Sequence, residues 1–204
     1  DGSNQWCYFN NSTPNSSNLN SVCFSDITNQ ANTNIESGWY DAPQTIILEP
    51  HINSTVYYTT DGSIPTINDV LYNQPFNVNE NTILSFRSYS DNKLPSKIND
   101  RTFIFEEDNH ELAVFSIHTN PINLWSNDSG IYVSGSNASS DYPYYGSNFW
   151  QPWSRFSRIE YFDKNKFKKA YENIDLEIHG GWSRAEPQKS FRIDLKSKYT
   201  SRLN

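Results

Sequence analysis

Two cations and a pair of glycines carry the clearest chemical suggestion in this chain. Residues 174–195 read as an alternating run, a glycine turn, a polar loop and a second alternating run that opens on Lys189. Gly180 and Gly181 permit backbone conformations closed to residues with a side chain. N–H groups exposed in such a turn, beside Arg184 and Lys189, are able to hold phosphate oxygens. An ordinary β-hairpin with a basic end fits the same residues, and the sequence leaves both readings open.

Aromatic side chains offer a second chemistry. Trp125, Tyr142, Tyr144, Tyr145, Phe149, Trp150 and Trp153 crowd one loop-rich stretch. Aromatic faces stack on sugar rings, and Trp150, Trp153, Tyr144 and Tyr145 are the candidates for that work. The competing reading makes Trp150 and Trp153 core or loop anchors, because large aromatics dominate burial in small β domains.

Other catalytic signatures fail. The chain has no HExxH, no EF-hand loop and no GxxxxGKS/T. Gly181-Trp-Ser183-Arg-Ala185 superficially has the shape of a nucleophile elbow, but Ala185 replaces the final glycine and Pro187 blocks the helix that should follow. The four His are scattered, His118 reads as a structural strand residue, and no metal site is predicted. Cys7 and Cys23 are too far apart for a CxxC redox or zinc pair. They are expected to form a disulfide, which fits an exported protein.

Composition narrows the class. The chain has 204 residues, a formal charge of -7, 35% apolar and 15% aromatic residues, and no Met. No apolar stretch approaches the roughly 18 residues of a membrane span. Scarce Leu, Ala and Met argue against a helical bundle, the aromatic content argues against disorder, and the net charge argues against uniform nucleic-acid binding. The charge is uneven: 4 basic and 16 acidic residues precede Trp150, and 12 basic and 7 acidic residues follow from there. That split is either solvated surface or the mark of a phosphate-binding segment.

The elements that must hold these groups are strands. β-branched and aromatic runs at 44–49, 55–60, 82–89 and 101–105, punctuated by Asp61-Gly62 and other turn residues, predict an all-β sandwich. After an acidic joint at 106–111, strands are predicted at 112–118, 131–133, 158–162, 174–179 and 190–195. Residues 134–146 read as a long loop, and 164–172 as the one helical candidate. The expected division is 1–35, 36–107 and 108–204.

Three resemblances attach to quoted residues. Asp1-Gly-Ser-Asn-Gln-Trp-Cys-Tyr-Phe9 with Thr13-Pro14 and Asn18 resembles the closing strand of a bacterial lamin-tail domain, which would make 1–35 that segment and a linker. Ser37-Gly-Trp-Tyr40, Tyr57-Tyr-Thr-Thr-Asp-Gly-Ser-Ile-Pro-Thr66 and Pro75-Phe76 resemble the chitobiase/β-hexosaminidase C-terminal module. This resemblance implies an immunoglobulin- or fibronectin-like accessory sandwich without catalysis. Gly130-Ile-Tyr-Val133, Trp153, Arg155, Ile159-Glu-Tyr-Phe-Asp163, Ile178-His-Gly-Gly-Trp-Ser-Arg184 and Gln188-Lys-Ser-Phe-Arg192 resemble the start of a CotH spore-coat kinase-type domain. That implies an atypical kinase fold using ATP and a divalent cation, with Lys189 the candidate for ATP phosphates and Arg184 its neighbour. The family's metal-binding and catalytic aspartates would lie beyond Asn204.

The resulting expectation is a mainly β chain: an immunoglobulin-like β-sandwich, then a β-rich, incomplete amino-terminal part of an atypical kinase-like domain. It is expected to be a catalytically silent fragment of a secreted or cell-surface bacterial protein, with no cofactor of its own and no membrane span. The longer protein would phosphorylate an unknown protein substrate. The alternative is a non-catalytic extracellular module that binds a surface glycan or protein.

Overall fold

A computed structural model describes residues 7–9, 22–105 and 112–195. The acidic joint at 106–111 and the lamin-tail-like residues Trp6, Thr13, Pro14 and Asn18 lie outside the described residues. The chain is mainly β and forms two compact units. The described residues of the first are 7–9, 22–60 and 64–105; those of the second are 61–63 and 112–195. No helix among the described residues is long and apolar enough to cross a membrane.

The first unit is a β-sandwich. One sheet runs in the order Gly38–Trp39, Asn99–Ile104, Thr82–Tyr89, Thr55–Thr59, Val70–Leu71, antiparallel except for the parallel pair of Gly38–Trp39 with Asn99–Ile104. Gln44–Ile46 pairs with Phe76–Val78, and Leu48–Glu49 with Asn32–Thr33. The core consists of Ala31, Ile46, Leu48, Val56, Val78, Leu84, Phe86 and Phe103. The apolar run 44–49 is therefore two strands with different partners rather than one. The break falls at Ile47, whose N–H donates to the Asn34 side-chain oxygen at 2.8 Å while its carbonyl accepts from the Asn34 N–H at 3.2 Å. Residues before Ser37 contribute directly, since Asp26–Ile27 pairs with Lys93–Leu94 and Ala31 is buried in the core. Cys7 and Cys23 are joined by a disulfide, next to the bridge that links Tyr8 to Phe24.

Within the motif Tyr57 to Thr66, the two tyrosines serve the sandwich and residues 61–63 belong to the second unit. Tyr58 stacks on Phe76 with centroids 4.5 Å apart, and Tyr57 meets Tyr89 edge-on at 5.5 Å. Asp61 Oδ1 accepts from the N–H and hydroxyl of Ser63 at 2.9 and 2.6 Å, and Gly62 between them has φ +80°. A side chain there would meet the left-handed penalty that glycine avoids.

The second unit is an antiparallel meander of Val114–His118, Ser154–Phe162, Lys168–His179 and Ser190–Asp194. Ile131, Phe149, Ile159, Ile174, Leu176, Ile178 and Ala185 form its core. Arg158 is buried here and donates to the Gly62 carbonyl at 3.0 Å.

Two local expectations are corrected. Residues 164–172 form no helix: 163–167 turn the hairpin, with Asp163 Oδ1 accepting from the N–H groups of Asn165 and Phe167 at 2.9 and 3.0 Å. That cap closes a turn and feeds the next residues into the strand Lys168–His179. Residues 131–133 form no strand, because the N–H groups of Ile131 and Tyr132 bond the carbonyls of Asn123 and Leu124. Those carbonyls belong to an unpredicted short helix, Pro121–Trp125, started by an Asn120 cap and a proline in its first turn.

Candidate functional site

The loop 180–189 joins Lys168–His179 to Ser190–Asp194, whose register sets His179 opposite Ser190. Gly180 has φ +117°, and a Cβ there would stand 2.3 Å from Ser183 Oγ. Gly181 differs: its φ is -89° and a Cβ would meet nothing within 4 Å. Of the two glycines, Gly180 alone has a positive φ. Trp182–Ala185 then makes a single 3-10 turn, and buried Ala185 anchors it to the core. The chain leaves through Pro187, so no helix follows and Ser183 has no elbow geometry.

Both predicted cations converge on Phe149. Arg184 donates from Nε to the Gly180 carbonyl at 2.7 Å and from Nη1 to the Phe149 carbonyl at 3.3 Å. Lys189 Nζ lies 4.4 Å from the Phe149 ring centroid and 5.3 Å from that of Tyr132, and donates to the Glu186 carbonyl at 2.7 Å. Burial lowers the Lys189 pKa, and the Glu186 charge pulls the other way. The loop N–H groups of Arg184, Glu186 and Lys189 bond Gly181 O, Ser183 O and Tyr132 Oη. Side-chain cations on carbonyls and ring faces are thus one anion-attracting feature of this loop, while the N–H groups of Arg184, Glu186 and Lys189 are engaged within the protein.

The aromatic loop joins the same end of the sheet. The Tyr142 hydroxyl donates to Glu186 Oε1 at 3.2 Å, and its ring meets Trp182 edge-on at 5.9 Å. The Tyr132 hydroxyl donates to the Pro187 carbonyl at 3.2 Å, and its ring lies 5.0 Å from Trp125. Of the four stacking candidates, Trp150 and Trp153 pack against the core, and Trp150 Nε1 donates to the Pro143 carbonyl at 2.9 Å. Tyr144 has φ +62° and meets Tyr142 edge-on; Tyr145 is 57% exposed beside Trp150. Trp182, 63% exposed, was not among the candidates. Its signal was its place directly after two glycines, where a large apolar residue has no strand to fill. Trp153 stands apart from the loop contacts, under the Arg155 guanidinium at 5.1 Å.

His118 is fully buried, with Nε2 3.1 Å from Ser116 Oγ and 3.7 Å from Glu160 Oε2. No group of three or more His, Cys, Asp or Glu among the described residues is placed to hold a metal ion. On the first unit, an open crevice is lined by Asn29, His51, Tyr89 and Lys93 among others. Its polar groups bond locally: Asn29 Nδ2 lies 3.4 Å from His51 Nε2, and Lys93 pairs with Asp26 at 3.1 Å.

The fold thus defines a two-unit, mainly β protein whose first unit is a sandwich and whose second unit gathers cations and aromatics at one sheet end. The family described as Fn3 associated matches residues 46–103, so this part of the sandwich is similar to a fibronectin-like associated module. Comparison with curated proteins and with solved structures gives no match.

Proposed function

We propose that the second unit is the phosphate-gripping, amino-terminal part of a CotH-like phosphotransferase domain, and that the sandwich is its non-catalytic extracellular accessory module. The observation that carries this reading is the convergence of Arg184 and Lys189 on Phe149, beside the Gly180 turn. Two cations held by one buried residue have a fixed spacing, and a polyphosphate entering there exchanges neutral carbonyl partners for charged oxygens, which make stronger bonds. Lys189 is partly desolvated, so an anion beside it interacts through less water than at an open surface.

For the divalent cation that the CotH resemblance implies, the described residues supply no ligand set. Phosphoryl transfer depends on positioned metal ions and an orienting residue acting with the phosphate clamp. The reading for residues 1–204 alone is binding of nucleotide phosphate without turnover. Calorimetric titration of ATP into a longer protein carrying this chain should lose its signal on Lys189→Ala. Binding unchanged by that substitution, or ATP turnover by residues 1–204 alone, sinks the reading.

Exposed Trp182, Tyr142 and Tyr145 at the same loop end favour a second reading, a module that stacks on an extracellular glycan. A glycan array separates the two: binding abolished by Trp182→Ala supports the module, and a blank array removes it.

A further inference from the structure

The hairpin at the far end of the same sheet has a character that phosphate gripping does not use. Asp163-Lys-Asn-Lys-Phe-Lys-Lys169 sets four lysines against one aspartate at the junction of Ser154–Phe162 and Lys168–His179. Asp163 shapes this tip through its two N–H contacts, and Lys166 takes the left-handed φ of +66° that closes it. Phe167 is left 63% exposed, with Lys169 Nζ 5.3 Å from its ring centroid. Beside the tip, Phe115 is 56% exposed and stacks on Tyr161 at 4.8 Å, opposite it in the register. Glu160 and Asp163 hold Lys168 and Lys169 at 2.7 and 3.3 Å, which fixes the direction of two of the cations.

We propose that this tip docks the protein on a membrane surface rich in anionic phospholipid. Lysines meet headgroup phosphates there while an exposed ring enters the boundary between headgroups and acyl chains. The pairing of charge with exposed aromatic surface selects this occupant: a hydrated polyanion would engage the lysines and leave Phe167 and Phe115 in water. The strand Lys168–His179 has 12 residues and spans about 40 Å at about 3.3 Å per residue, so a docked tip leaves the 180–189 loop facing the aqueous phase.

Co-sedimentation of residues 1–204 with vesicles tests this independently of any nucleotide binding. Partition onto phosphatidylglycerol-containing vesicles, absent with pure phosphatidylcholine and falling with salt, is the expected result. Lys164→Gln with Lys166→Gln should weaken it about 30-fold, two charges at about 1 kcal/mol each. Phe167→Ser should weaken it about 10-fold by removing apolar insertion, and Phe167→Leu should restore most of the loss. Near-UV circular dichroism checks that each variant stays folded. No partition, equal partition onto phosphatidylcholine, or binding indifferent to Phe167→Ser overturns the proposal, and the last outcome assigns the tip to polyanions.

Discussion

Lys189 and Phe149 meet with the ammonium 4.4 Å from the ring centroid, and the carbonyl of the same Phe149 receives Arg184. One buried aromatic residue thereby sets the positions of both cations in the loop. Phe149 belongs to the core of the second unit, so both cations are tied to that core.

The first consequence is a titration. Burial holds the Lys189 pKa below its ordinary 10.5, against the pull of Glu186. The folded state therefore binds this proton less tightly than the unfolded chain does. Between the folded value and 10.5, stability rises with pH; below the folded value the full cost of the buried charge is felt. Competitive acetylation followed by mass spectrometry should find Lys189 turning reactive at lower pH in the folded protein than in the urea-unfolded chain. Urea unfolding of Lys189→Met should lack the corresponding slope.

The two glycines should respond differently to alanine. At Gly180 the left-handed φ is strained for any side chain, so Gly180→Ala is expected to cost about 1–3 kcal/mol. Gly181→Ala, with negative φ and open space, is expected to cost less than Gly180→Ala. Equal losses in chemical denaturation would show that the loop conformation is not set at Gly180.

The sequence was most legible where pattern and position agree. Alternation along 174–179 and 190–195 gave two strands, of which the structure extends the first back to Lys168 and ends the second at Asp194. It was least legible where a short polar side chain decides between two backbones. Asp163 turned an apparent helix into a hairpin through two N–H bonds, and Asn34 split the run 44–49 between two pairings. Within the site, side-chain types were readable but their direction was not. Arg184 and Lys189 face carbonyls and rings because Phe149 and Tyr132, distant in sequence, supply the nearest surfaces.

Loop closure by Cys7–Cys23 spans a sequence separation of 16. In the chain-entropy model a loop of this size stabilises by about 3 kcal/mol. Replacing both cysteines by serine should lower the stability of the first unit by up to that amount, read by denaturation, and leave the second unit's transition in place. A shared loss in both transitions would contradict a role confined to the sandwich.

Trp150 and Trp182 separate anchoring from exposure. Trp150 packs on the core and donates to Pro143, so Trp150→Ala should destabilise by about 2–4 kcal/mol. Trp182→Ala should cost about 1 kcal/mol or less, since its ring faces mainly water and Tyr142. Thermal unfolding of the two variants reads the difference directly.

The phosphate grip is tested most directly by amide NMR shifts of residues 1–204 during titration with ATP and, separately, with adenosine. Saturable shifts confined to Gly180, Gly181, Arg184, Lys189 and their neighbours, produced by ATP but not by adenosine and lost in Lys189→Ala, are the predicted result. Shifts that adenosine reproduces, that fall elsewhere, or that survive Lys189→Ala would contradict it.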